Sequence, residues 1–254
     1  MADSKNDPVG PEYFAPLIAA DRVAGLLFVL SAVLSLVVLL LDKEQNPTAY
    51  QGAQVSFITA VIALFVTNIA IRLYFFPRAQ LARYRDFVAH AYGKFVTYKK
   101  TVAYYNNAAT TPTARTAAQI LESAFFTKNN LNKCTVAERA KISVYLLAWT
   151  IALVNRTTEL ELLSVGAQAV FSEQLLSRWL RFEHFRGEAE KIFQELYRLC
   201  QQSRSNLDSI GAEYLGRYEI LKATTSYSLS TRVFEKNNLK WNAEWESIRA
   251  TLKL

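Results

Sequence analysis

Apolar and polar positions are spread unevenly along this chain, and two runs near its N-terminus dominate the pattern. Residues 23–41 read VAGLLFVLSAVLSLVVLLL, nineteen in a row without a charge. At 1.5 Å per residue a helix of that length covers roughly 28 Å, close to the hydrocarbon thickness of a bilayer. Residues 55–71 form a second uncharged run of seventeen, which Arg72 interrupts and residues 73–76 extend. An arginine near a helix end lays its methylenes along lipid while its guanidinium reaches the headgroups, and Pro77 then marks or kinks the exit. Core helices of soluble proteins seldom run this far without a charged face, so both runs are expected to span a membrane. The connection at residues 42–54 is short enough to join antiparallel neighbours as a hairpin. The first run exceeds the apolar region of a cleavable signal and ends without a small-residue cleavage site, which makes it a retained anchor.

The remainder alternates at helical spacing. Leu81, Tyr84, Phe87, Val88, Ala91, Tyr92, Phe95, Tyr98 and Val102 recur every three or four residues, which predicts a stalk helix running on from the second span. Residues 106–113, NNAATTPT, read as a linker, and a short helix over 114–127 follows, ending at Asn129 and Asn130. Thr135-x-x-Glu138 has the spacing of a capping box and is expected to open a new helix into residues 142–155, ISVYLLAWTIALVN. Those fourteen uncharged residues have the length of a buried core helix, with a third or re-entrant membrane segment as the alternative. Thr158-x-x-Glu161 repeats the capping spacing ahead of Leu162, Leu163, Val170, Leu175, Trp179, Phe182 and Phe185. Further stripes fall at Ile192, Phe193, Leu196, Leu199 and Cys200, at Ile210, Tyr214, Tyr218 and Leu221, and at Trp241, Trp245, Ile248 and Leu252. No sustained period of two appears. The expected fold class is therefore all-α: an N-terminal two-helix transmembrane hairpin followed by a helical cytoplasmic domain. Its parts are a tail over 1–22, the hairpin over 23–76, a basic juxtamembrane stalk helix over 77–105 and a sensor or partner-binding domain over 106–254.

Charge gives this arrangement a direction. The 254 residues carry a formal net charge of +7, but residues 1–76 carry −2 and residues 77–254 carry +9. The hairpin loop holds only Lys43, whereas Arg72, Arg78, Arg83 and Arg85 cluster after the second run, so both termini are expected on the cytoplasmic side. Cys134 and Cys200 then lie in a reducing compartment. Within the spans, Ser31 and Ser35 sit one helical turn apart, a spacing that lets helices approach closely, and Thr67 and Asn68 offer polar groups that seek a partner in lipid. These four are the candidates for helix packing or for lining a pore. Arg78, Arg83, Arg85, Lys94, Lys99 and Lys100, interleaved with five tyrosines over 78–105, are the candidates for contacting phosphates of lipid or nucleic acid, or an acidic partner.

Chemistry is sparse by comparison. The chain has no phosphate-binding glycine loop, no C-x-x-C and no H-E-x-x-H or G-x-S-x-G motif. His184 neighbours Glu183, but adjacent helical residues do not face one another, and Glu159 and Glu161 suit a helix N-terminus without further role. Neither an enzyme nor a cofactor or metal site is expected.

Taken together, the runs VAGLLFVLSAVLSLVVLLL and VSFITAVIALFVTNIAIRLYFF and the 178 residues that follow resemble bacterial antiphage, or abortive-infection, two-transmembrane effectors. The layout is most like the effectors encoded beside retron reverse transcriptases. That resemblance implies an inner-membrane toxic effector, held inactive by a reverse transcriptase and its RNA–DNA hybrid. Once released, it would permeabilise the membrane, acting on lipid as an oligomer. A membrane-anchored scaffold and a cyclic-nucleotide-gated effector share the same outline.

Overall fold

The computed structural model describes residues 7–94, 101, 104–105, 107, 109–154, 173–202, 206–226 and 229–254. Every regular element among the described residues is helical. The principal helices are α1 (Ala15–Leu40), α2 (Pro47–Ala70), α3 (Phe76–Tyr92), α4 (Pro112–Val154), α5 (Arg178–Gln202), α6 (Asn206–Thr225) and α7 (Thr231–Leu252). Five-residue π-helical turns, Gly10–Phe14, Ile71–Phe75 and Glu173–Ser177, lead into α1, α3 and α5. The chain forms two compact units, one of residues 1–16, 75–135 and 182–254, the other of residues 17–74 and 136–181.

The first unit is built around the N-terminal part of α4. Ala117, Ala118, Ile120, Leu121, Ala124, Phe125 and Leu131 are all buried there, so this stretch is apolar on nearly every side, as a central helix must be. Around it pack Phe185, Ile192, Phe193 and Leu196 of α5, Tyr214, Tyr218 and Leu221 of α6, Trp241 and Trp245 of α7, and Phe87 of α3. Ring contacts knit the core: Phe125 lies 5.8 Å from Phe193 and 5.7 Å from Trp245, centroid to centroid. α4 and α6 approach so closely that a Cβ on Gly211 would stand 2.4 Å from the Thr113 carbonyl oxygen, which leaves hydrogen as the side chain that fits.

Two sequence expectations change here. The separate helices over 114–127 and from Thr135 onward are one helix of 43 residues, Pro112–Val154. Thr135 is buried inside it, its hydroxyl donating to the Asn132 carbonyl at 3.3 Å, and so it does not cap a helix. No glycine or proline lies between Thr113 and Val154 to end the helix. The asparagines taken as a stop serve another helix instead. Asn130 donates to the Ser230 carbonyl at 3.0 Å and accepts from its N–H at 3.2 Å, fixing Ser230, whose hydroxyl in turn accepts the Val233 N–H and caps α7. The stalk helix is also shorter than its stripe suggested. It ends at Tyr92 because Gly93 adopts a left-handed conformation, φ 66°. Of the residues expected to continue it, Phe95 and Tyr98 to Lys100 lie outside the described residues, as does the second capping pair, Thr158 and Glu161.

The second unit is built differently. α1 and α2 are 26 and 24 residues long, each longer than the uncharged run that announced it, and the turn between them shrinks to residues 41–46. Asp42 holds that turn, its carboxylate accepting the N–H groups of Glu44 at 2.8 Å and Gln45 at 3.3 Å, and Pro47 opens α2 at a position where no N–H is needed. Pro77 instead lies just after the π-helical turn Ile71–Phe75, where α2 runs on into α3 without a break. Few side chains of α1 and α2 are buried, and three of those few are small: Ala24, Ser31 and Ala60. The C-terminal part of α4 also departs from expectation, since it is not a core helix. Ile142 is buried, but Val144, Leu147, Ile151 and Val154 are 62–76% exposed.

Candidate functional site

Two features stand out in chemical terms. The first is the outer surface of α1 and α2. Val23, Leu26, Val29, Leu30, Val33 and Leu36 of α1 and Val55, Ile58, Ile62, Phe65 and Val66 of α2 are all exposed. The same residue types in water would carry a large hydration cost, since apolar area left exposed forfeits about 25 cal/mol per Å². Both helices are long and apolar enough to cross a membrane. Their hydroxyl groups bond within their own helices: Ser31 donates to the Phe28 carbonyl at 2.8 Å, Thr59 to Val55 at 2.8 Å and Thr67 to Ala63 at 2.7 Å, as Thr116, Thr225 and Thr251 do in the first unit. Of the packing candidates, Ser31 is buried on the face that also carries Leu17 and Ala24, while Ser35, Thr67 and Asn68 are half-buried.

The second feature is a cluster of buried charge in the first unit. Asp86 is 1% exposed. Its carboxylate accepts the Thr101 hydroxyl, stands 3.6 Å from Arg83 Nη1 and 3.7 Å from His90 Nε2. Arg83 donates through Nη2 to Asp7 at 2.7 Å, and its guanidinium carbon stands over the Tyr104 ring, 4.4 Å from the centroid. Asp7 also accepts the N–H groups of Val9 and Gly10. Arg83 thus ties the segment that leads into α1 to helix α3. Burial pushes the phenols of Tyr104 and Tyr105 upward, so both stay neutral beside this cation. The Arg83–Asp7 bond is the cluster's contact with the N-terminal segment, and it is partly exposed, with side-chain exposures of 14% and 25%.

This cluster divides the six basic candidates. Arg83 is committed to Asp7, Asp86 and Tyr104, whereas Arg78, Arg85 and Lys94 are exposed. Lys99 and Lys100 lie outside the described residues. Sequence reasoning missed Asp7, Thr101 and the pairing role of Asp86, although one signal was available: Asp86 is the single acid among six basic residues over 78–105. Tyr84 and Tyr92, two of the interleaved tyrosines, line an open groove of about 580 Å³ with Gln80, Leu81, Thr113, Thr116, Leu215 and Glu219. Among the described residues no group of His, Cys, Asp and Glu has the arrangement of a metal site. No protein-family model matches the chain, and neither does any curated protein or solved structure.

Proposed function

We propose that this protein is a membrane-embedded effector of an antiphage defence system, silent while a cytoplasmic partner holds it and disruptive to the inner membrane when released. The observation that carries the reading is the exposed aliphatic surface of α1 and α2, whose hydroxyls are already bonded within each helix. Such helices need hydrocarbon around them, and nothing in them suggests a relay or a selective path: apart from Asp21 and Arg22 near its start, α1 carries no charge, and α2 carries none. Action on lipid itself, as an oligomer, fits that exposed surface better than transport, while Ala24 and Ser31 are already packed within the chain.

The remaining residues supply the control. The net charge of +9 over residues 77–254 suits a nucleic-acid-bearing partner, for which we propose a reverse transcriptase with its RNA–DNA hybrid, and the basic residues flanking the second span, Arg72, Arg78, Arg83 and Arg85 against Lys43 alone in the loop, favour a cytoplasmic side for both termini. The Arg83 cluster is a natural point of transmission, because it grips the segment entering α1.

Induction of the protein alone should collapse the membrane potential before viability falls, and co-expression with the partner should prevent both. Cells that die with normal potential would sink the proposal. Harmless expression with a constitutively bound soluble protein would favour a scaffold instead. Purification in mild detergent should bring down a reverse transcriptase and a nuclease-sensitive species; a clean protein would remove that partner.

A further inference from the structure

The C-terminal part of α4 has the features of a third membrane-contacting segment. Residues 142–154 carry no charge, and the segment is apolar in two directions at once. Ile142 is buried against Leu175, with Phe28 of α1, Leu146, Leu176 and Trp179 packed around them. Val144, Leu147, Ile151 and Val154 are exposed and follow one another at three- and four-residue steps, so they form a continuous outward stripe. The Thr150 hydroxyl donates to the Leu146 carbonyl at 2.8 Å, the same self-satisfaction found in Ser31, Thr59 and Thr67.

A charged layer fixes where this segment begins. Arg178 pairs with Asp21 at the start of α1, at 3.1 Å, and with Glu138 of α4, at 3.8 Å, and Lys141 pairs with Glu138 at 2.8 Å. Beyond these ion pairs, Phe28 on one helix and Leu146 on the other both pack against the pair of Ile142 and Leu175. Asp21 and Glu138 thus share Arg178, and Phe28 and Leu146, seven and eight residues further on, share the next apolar contact, so α1 and α4 leave the charged layer in the same direction. At 1.5 Å per residue, Val154 stands about 24 Å beyond Glu138, alongside the exposed aliphatic stretch of α1.

We infer that residues 142–154 enter the hydrocarbon next to α1, with lipid chains covering Val144, Leu147, Ile151 and Val154, and that the ion pairs of Asp21, Arg178, Glu138 and Lys141 mark the headgroup level. The occupant is lipid because the outward stripe continues the surface of α1 that the membrane reading already assigns to it. This inference rests on that reading, and the test separates the two.

The experiment places single spin-labelled cysteines at Val144→Cys and Ile151→Cys in the full chain in bilayers. Leu36→Cys on α1 serves as the lipid reference and Leu239→Cys, 89% exposed on α7 of the first unit, as the aqueous one. Both native cysteines are buried, so the unsubstituted chain is the blank. Positions 144 and 151 should match position 36: relaxation by oxygen, and loss of relaxation by a water-soluble nickel chelate. Nickel relaxation at 144 and 151 like that at 239, with 36 still in lipid, would overturn this inference alone. Protection from both reagents would also overturn it, by placing protein over the stripe. Nickel relaxation at position 36 itself would overturn the membrane reading beneath it.

Discussion

The two units use the same helical period and turn it in opposite directions. In the first, the large side chains point inward: Phe125, Phe185, Phe193, Trp241 and Trp245 are all buried, and a 2.7 Å bond joins Thr127 and Tyr218 beside them. In the second, most large side chains of α1 and α2 point outward, and apart from Leu17 the buried positions described in these two helices are the small Ala24, Ser31 and Ala60. Water drives the first arrangement, because burying a large ring removes the most apolar area. On the proposed membrane reading the second unit meets lipid, which is as apolar as leucine and gives no such drive, so close packing of small residues takes its place. The difference teaches that hydrophobic periodicity reports a helix, while the size of the residues on its buried face reports the solvent on the other.

The sharpest way to break this comparison is to truncate a large residue in each unit. Phe185→Ala should cost about 3–5 kcal/mol, as for other buried aromatics, read as a lower denaturant midpoint of the Trp241 and Trp245 fluorescence. Leu26→Ala, at a site 72% exposed, should change stability by less than about 0.5 kcal/mol. Equal losses at both sites would mean that α1 is a core helix after all.

A charge sharpens it from the other side. Leu30→Lys, in the middle of α1, should disfavour membrane insertion by about 2.5–3.5 kcal/mol, read as a shift of the full chain from the membrane to the soluble or aggregated fraction. Leu239→Lys, at an equally apolar but more exposed site, should leave the fractionation unchanged. If Leu30→Lys fractionates like the native chain, α1 does not cross the bilayer.

The smallest effect concerns the water-facing rim of the first unit. Arg217 and Tyr214 donate to Glu195 at 2.7 and 2.9 Å, and the Arg217 hydrogen bond, against the cost of partial burial, holds the Glu195 carboxyl below the ordinary carboxylate range. A depressed folded value adds stability that is fully present above the unfolded value, near pH 4.3, and is lost as pH falls through the folded one. Because Glu195 is about one-third exposed, solvent screening limits the pair to about 0.5 kcal/mol. Glu195→Gln should remove that increment at neutral pH and flatten the acid side of a plot of denaturant midpoint against pH. An unchanged acid slope would show that the pair contributes nothing.

Much of this was legible in one dimension. The two apolar runs announce α1 and α2, Thr111–Pro112 opens α4 close to where the polar linker ends, and the stripes on α5, α6 and α7 correctly mark Ile192, Leu196, Tyr218, Trp241 and Trp245 as buried. These readings succeed because hydrophobic spacing and helix starts are local properties. The errors have a common origin in side chains whose partners are far away in sequence. Asn130 looked like the end of a helix because its partner, Ser230, is a hundred residues on. Thr135 and Glu138 had the spacing of a cap, yet one is buried mid-helix and the other pairs with Lys141 and Arg178.

The same division holds for the candidate site. By itself the sequence determines that this protein has an apolar N-terminal hairpin and a basic helical remainder, because length, period and charge are written residue by residue. Only the tertiary structure decides which basic residues are exposed, since Arg83 is drawn inward by Asp7, 76 positions away, and by the buried Asp86. It also decides that Val144, Leu147, Ile151 and Val154 face outward rather than into a core. A run of thirteen uncharged residues has the same hydrophobicity in either setting, and its surroundings follow from what it packs on, which here is Leu175 with Phe28 of α1 beside it.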